Sequence, residues 1–158
     1  MSANPAKSNA AASLPFAVKG QLELARTFDA PRELVFQAWT DPKHLAAWWG
    51  PRGFTTRIQE MDVRPGGAWR YSMRGPDGKE YPFDGVYVEV VEPERLVFDG
   101  IIHGVPEQRV WTEVTFADRG GKTEIAVRQW YSFEGIESGA TIGWNQQLDR
   151  FAEFLAKA

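Results

Sequence analysis

Few side chains in this 158-residue sequence are of a type that does chemistry unaided. Cysteine is absent, which removes thiolate nucleophiles, disulfides and thiolate metal sites, and only His44 and His103 can offer an imidazole. Neither histidine has a partner at metal-ligand spacing, no serine stands in a nucleophile elbow, and no glycine loop runs from a strand into a helix to cradle a phosphate. No metal or cofactor is implied. What remains are polar groups inside apolar strands: Tyr71, Glu89 and Gln129. Enclosed among aromatic rings, Glu89 would have its pKa raised by desolvation and keep a proton near neutral pH; facing out, it would be an ordinary carboxylate paired with an arginine. Tyr71 and Gln129 would orient a bound molecule or, together with Glu89, serve as acid and base.

The elements that must position these groups read clearly. From Val18 to Phe28 the chain alternates as a strand and ends at DAP, where Pro31 suits the first turn of a helix, PRELVFQAW. A second short helix follows in DPKHLAAWWG, with Asp41 as N-cap, Pro42 at the first helical position and Gly50-Pro51 as the stop. Then come period-two runs, FTTRIQEM, AWRYSMR, YPFDGVYVEVV, RLVFDGI, RVWTEVTF and TEIAVRQW, separated by turns too short for parallel crossovers. The chain closes with GATIGWNQQLDRFAEFLAKA, in which Trp144, Leu148, Phe151 and Leu155 recur on one helical face. The pattern predicts an α+β domain: a long C-terminal helix across a curved antiparallel sheet of six to seven strands, with two short helices after the first strand.

Composition narrows the function classes. With 43% apolar residues the chain can bury one sizeable core, and its net charge of −3 with scattered basic residues gives no footprint for nucleic acid. The opening MSANPAKSNAAASLP lacks the continuous apolar segment of a signal peptide, and no segment is long and apolar enough to span a bilayer. Residues 1–15 read as a flexible tail and 16–158 as a single domain of a cytoplasmic protein, monomeric or homodimeric.

Five blocks in order, DAPRELVFQAWTDPKHLAAWWGP, DVRPGGAWRY, GPDG, VEPERLVF and GWNQQLDRFAEFL, carry a family resemblance. From Gly20 onward the chain resembles the activator of heat-shock-protein-90 ATPase homologue-like branch of the START-like (SRPBCC, birch-allergen-like) superfamily. The resemblance implies a helix-grip fold: the sheet grips the terminal helix around a cavity that, across the superfamily, takes sterols, lipids, polyketides or hormones. The most family-specific block, DVRPGG, looks structural, with Arg64 placed to pair with Asp62.

Strand parity indicates what would line such a cavity. Trp69, Tyr71 and Met73 share one face of AWRYSMR, and Leu96 and Phe98, Val110, Val114 and Phe116, and Ile125 and Val127 share the corresponding faces downstream, while Arg109, Glu113, Glu124 and Arg128 face out. In YPFDGVYVEVV a bulge at Gly85 would shift the register, and the reading adopted places Tyr87 and Glu89 inward. Of the adjacent tryptophans, Trp49 beside the helix stop suits the cavity mouth and Trp48 the core. The expected ligand-binding set is therefore Trp49, Phe54, Trp69, Tyr71, Met73 and Tyr87, with Glu89, Phe98, Trp144 and Leu148. The same aromatics would equally fill a core, and alternation alone does not separate the two readings. The function expected is non-enzymatic binding of a hydrophobic small molecule (lipid, sterol or aromatic polyketide-like) or of a protein segment. The alternatives are a cochaperone of a heat-shock-protein-90 type ATPase, and a cyclase or hydratase using Glu89 and Tyr71.

Overall fold

The computed structural model describes residues 14–157, so the expected tail over 1–15 lies, apart from its last two residues, outside the part described. The elements run β1 (Gly20–Phe28), α1 (Arg32–Thr40), α2 (Pro42–Trp48), β2 (Thr55–Met61), β3 (Ala68–Arg74), β4 (Glu80–Val91), β5 (Arg95–Ile102), β6 (Val105–Arg119), β7 (Lys122–Tyr131) and α3 (Glu137–Lys157). The seven strands form one sheet in the order β1-β7-β6-β5-β4-β3-β2, antiparallel at every pairing. Strands β2 to β7 are a meander of hairpins, and β1 returns beside β7 because the two helices carry the chain back across the sheet.

Local chemistry sets the boundaries. The Asp41 carboxylate accepts from the backbone N–H groups of Lys43 (2.8 Å) and His44, satisfying donors that the first turn of α2 leaves free. Pro31, expected inside the first turn of α1, is instead its N-cap, with extended backbone. The hairpin between β5 and β6 turns on His103 and Gly104, both at positive φ (57° and 70°), so β6 begins at Val105, four residues before the expected run.

Strand β4 departs from the expected alternation. The register passes from Tyr87↔Phe98 to Glu89↔Val97, so the bulge falls at Val88 and not at Gly85. Tyr87 points inward and is buried, whereas Glu89 lies on the outer face and Val90 turns in again to pack on the core. The expectation that Glu89 faces the cavity is thus corrected. The cause is non-local. The turn at Arg64–Gly67 docks on β4 from both sides of Tyr87, with Gly66 N–H donating to Tyr87 O (2.8 Å) and Tyr87 N–H donating to Gly67 O (2.9 Å), which holds the strand just before it bulges.

On the outer face Glu89 accepts from Arg95 Nε at 2.7 Å. Arg95 Nη2 also donates to Glu113 (2.7 Å), and Arg128 Nη2 meets the other Glu113 oxygen at 2.5 Å. Glu113 is only 1% exposed there, a buried carboxylate held between two guanidinium groups. Gly85 remains informative for another reason. It pairs across the ladder with Gly100, and a Cβ built on either would lie 2.5 Å from Trp69 Cζ2. The two glycines make the bare patch of sheet on which the Trp69 indole lies.

The core sits between α1, α2, the C-terminal half of α3 and strands β5 to β7. Val35, Trp48, Val114, Ile125, Val127, Leu148 and Phe151 are all fully buried. Edge-on aromatic contacts tie the layers together, Phe28–Phe151 at 5.1 Å and Phe36–Phe116 at 5.2 Å.

Candidate functional site: a cavity under the first turns of the terminal helix

Toward its N-terminus α3 stands off the central strands, although Ile136 and Ala140 still pack against the core. A cavity of about 410 Å³ opens between its first turns, the loop after α2 and the concave face of β3 to β7. Its floor is a stack of rings from neighbouring strands: Trp69 on Tyr71 (5.6 Å, 24° between planes) and Tyr71 on Phe83 (4.9 Å, 16°). Parity places Trp69 and Tyr71 on one face of β3, and the register Tyr71↔Phe83 brings the third ring alongside. Phe98 meets Trp69 edge-on at 5.9 Å. Trp49 and Trp144 form a wall, 5.5 Å apart and nearly perpendicular.

A hydrogen-bonded cluster of polar side chains interrupts this apolar lining. Gln129 Oε1 accepts from the Trp144 indole N–H (2.9 Å) and from the Tyr131 hydroxyl, and Gln129 Nε2 donates to Thr112 Oγ1 at 2.9 Å. An indole N–H can only donate, so the oxygen of the amide must face Trp144 and the nitrogen must face Thr112. Gln129 and Thr112 are both buried, on adjacent strands in register with each other. Burial pushes the hydroxyls of Tyr71 and Tyr131 well above the ordinary tyrosine value, opposed at Tyr71 by a hydrogen bond to Trp49 and reinforced at Tyr131 by Glu137, so both stay protonated. His103, at the rim, is shifted downward by burial and then by Lys79, which favours the neutral imidazole. No Asp, Glu, Lys or Arg borders this cavity among the described residues.

The mouth is held by α3. Arg150 Nη1 donates to the carbonyl oxygens of Gly50 (2.9 Å), Pro51 (3.2 Å) and Phe54 (3.2 Å), and Gln147 Oε1 accepts from Gly50 N–H at 2.8 Å. These contacts fix the loop that carries Trp49 and Pro51 to the cavity.

Of the expected residues, Trp49, Trp69, Tyr71, Met73, Phe98 and Trp144 border the cavity. Tyr87 borders not this cavity but an adjoining small pocket of about 40 Å³, which shares Trp49, Trp69, Tyr71 and Phe98 with it. Three expectations are corrected by geometry. Glu89 is on the opposite side of the sheet; Phe54 lies outside the cavity, its ring 6.0 Å from Tyr81; and Leu148 is wholly enclosed by the core below. Sequence reasoning missed Phe83, Thr112, Tyr131 and the rim residue His103. Thr112 and Tyr131 carried a signal: they share the inward parity of Val110 and Val114 and of Gln129.

The seven-stranded antiparallel sheet gripping a long C-terminal helix defines an α+β helix-grip protein of the START-like type. The chain belongs to the family described as Activator of Hsp90 ATPase homolog 1-like protein, whose model matches residues 29–156. A crystal structure of a protein from Chromobacterium violaceum is 28% identical, covering 84% of this chain and 94% of that one, with a TM-score of 0.79. The fold alone is shared with a solution structure from Arthrobacter aurescens (22% identity, 90% and 92% coverage, TM-score 0.80). The same holds for an AHSA1-like protein from Aeromonas hydrophila (23%, 85% and 92%, TM-score 0.71). No match was found among curated proteins. Among the described residues no helix is long and apolar enough to cross a membrane.

Proposed function

We propose that this protein binds a hydrophobic small molecule, without covalent chemistry, in the cavity between α3 and the sheet. The observation that carries the reading is the cavity itself: about 410 Å³, within the size range of small-molecule sites, aromatic on floor and wall, with one convergent polar group. The cyclase or hydratase alternative needed Glu89 and Tyr71 together, and they stand on opposite faces of the sheet with no shared site. The cochaperone alternative rests on the family match alone; stimulation of an Hsp90-type ATPase by purified protein would favour it. The test of the binding reading is native mass spectrometry of protein purified from its own host, with titration of apolar compounds followed by tryptophan emission. A co-purified ligand, or saturable emission changes reduced by Trp144→Phe, is the expected result. Flat titrations across lipids, sterols and aromatic compounds overturn it.

A further inference from the structure

The first turns of α3 contain two glycines: Gly139 in the first turn, and Gly143 at an interior position where glycine is the poorest ordinary helix former. Neither is required by the backbone or by packing. Both lack a positive φ, a Cβ at Gly139 would meet nothing within 4 Å, and one at Gly143 would meet only Pro51 Cγ at 3.9 Å. Both border the cavity opposite the Trp69–Tyr71–Phe83 stack. At both positions the helix has room for a side chain beside the cavity and carries none.

The polar atoms opposite are not used up by their own network. Thr112 Oγ1 accepts from Gln129 and keeps a hydrogen to donate, the second amide hydrogen of Gln129 has no acceptor among the described residues, and the Tyr131 hydroxyl keeps its lone pairs. These groups suit a hydroxyl or carbonyl oxygen. With no charged side chain on the walls, a ligand carboxylate or ammonium would be desolvated without a partner. Stacked on one another, the floor rings spend their faces among themselves and turn edges toward the cavity, and the positive edge of an aromatic ring is met best by the π face of a flat guest.

We infer that the cavity selects an uncharged, flat aromatic molecule bearing a hydroxyl or carbonyl group. Its rings lie between the Gly139–Gly143 face of α3 and the Trp69–Tyr71–Phe83 stack, and its oxygen meets Thr112 and Gln129. This rests on the ligand-binding reading above and adds the chemical class and the orientation. Neutrality and oxygen content are set by the walls, and thickness by the missing side chains of the helix.

The test is calorimetric titration of the full chain with four probes of similar outline: β-naphthol, naphthalene, β-naphthoate and the saturated alcohol decalinol. β-Naphthol is expected to bind tightest, with naphthalene and β-naphthoate weaker by about tenfold or more, the ratio that one lost hydrogen bond or one unpaired charge produces, and decalinol weaker because it keeps the hydroxyl but loses the flat aromatic ring. Thr112→Val should bring β-naphthol down to the affinity of naphthalene. Gly143→Leu should abolish binding of all ring probes. Thermal unfolding of each variant is followed alongside, so that folding is monitored separately from binding. Equal or tighter binding of β-naphthoate or decalinol, or ring binding unchanged in Gly143→Leu, overturns the inference while leaving a ligand-binding protein of another specificity. Failure of every probe, fatty alcohols and sterols included, overturns the binding reading as well.

Discussion

The two halves of α3 lie on the same sheet and are built to opposite ends. The C-terminal half is packed without slack: Leu148 and Phe151 are fully buried, and Phe151 meets Phe28, Trp39 and Trp48 with ring centroids between 4.5 and 6.2 Å. The N-terminal half carries glycine where a side chain would fit, and lies over a cavity of about 410 Å³. One helix thus serves as anchor and as roof. The difference teaches where stability and function separate: dispersion and burial are concentrated below Trp144, and the two glycines above it give up both.

The comparison is broken most easily from the packed end. Phe151→Ala should cost about 3–5 kcal/mol and Leu148→Ala about 2–5 kcal/mol, read from urea midpoints, because each leaves a void in a close-packed core. Leu148→Trp belongs with them, since the added bulk meets core and not cavity. A loss below about 1 kcal/mol at Phe151 would remove the anchor from the comparison.

Alanine at the other end should act with the opposite sign. Gly143→Ala should stabilise by about 1 kcal/mol from interior helix propensity, and Gly139→Ala, in the first turn, by less, neither with a steric cost. Destabilisation by either in thermal unfolding would show that the roof is packed after all.

A smaller effect is expected at the rim. His103 holds φ of 57°, a conformation that a side chain adopts at a cost of roughly 1 kcal/mol, so His103→Gly should recover about that much. Its folded-state pKa lies below the ordinary 6.5, so the unfolded chain takes up the proton first. The stability contributed by the neutral ring is complete above pH 6.5 and is lost as pH falls through the folded value. Thermal scans between neutral and mildly acid pH should therefore show a decline that His103→Asn flattens; a decline unchanged in the variant would place its origin elsewhere.

The smallest change concerns the exposed pair Arg52–Glu153, which ties the loop after α2 to the packed half of the helix. A hydrogen bond from Arg52 lowers the Glu153 pKa. Its contribution is present above the unfolded carboxylate value and fades as pH falls through the folded one. Glu153→Gln should leave the neutral-pH midpoint nearly unchanged and lessen the acid-side loss slightly.

Much of this architecture is written locally. The Asp41-Pro42 cap, the alternation of AWRYSMR and the spacing of Trp144, Leu148 and Phe151 depend on residues within a turn or a strand of each other, so the order of elements and the inward face of β3 could be read directly. The helix-grip arrangement and the aromatic floor follow from those periods together with the family blocks. Glu89 could not be read in the same way, because its side of the sheet depends on a bulge at Val88 that follows where the turn at Arg64–Gly67 docks on Tyr87. Nor could the polar cluster, whose members come from β6, β7 and α3 and meet only once strand register sets Thr112 beside Gln129 under Trp144. Leu148 and Trp144 share one helical stripe, yet one is core and the other cavity wall. Periodicity states which face of a helix turns inward, and only the curvature and closure of the sheet decide how far along that face the packing ends.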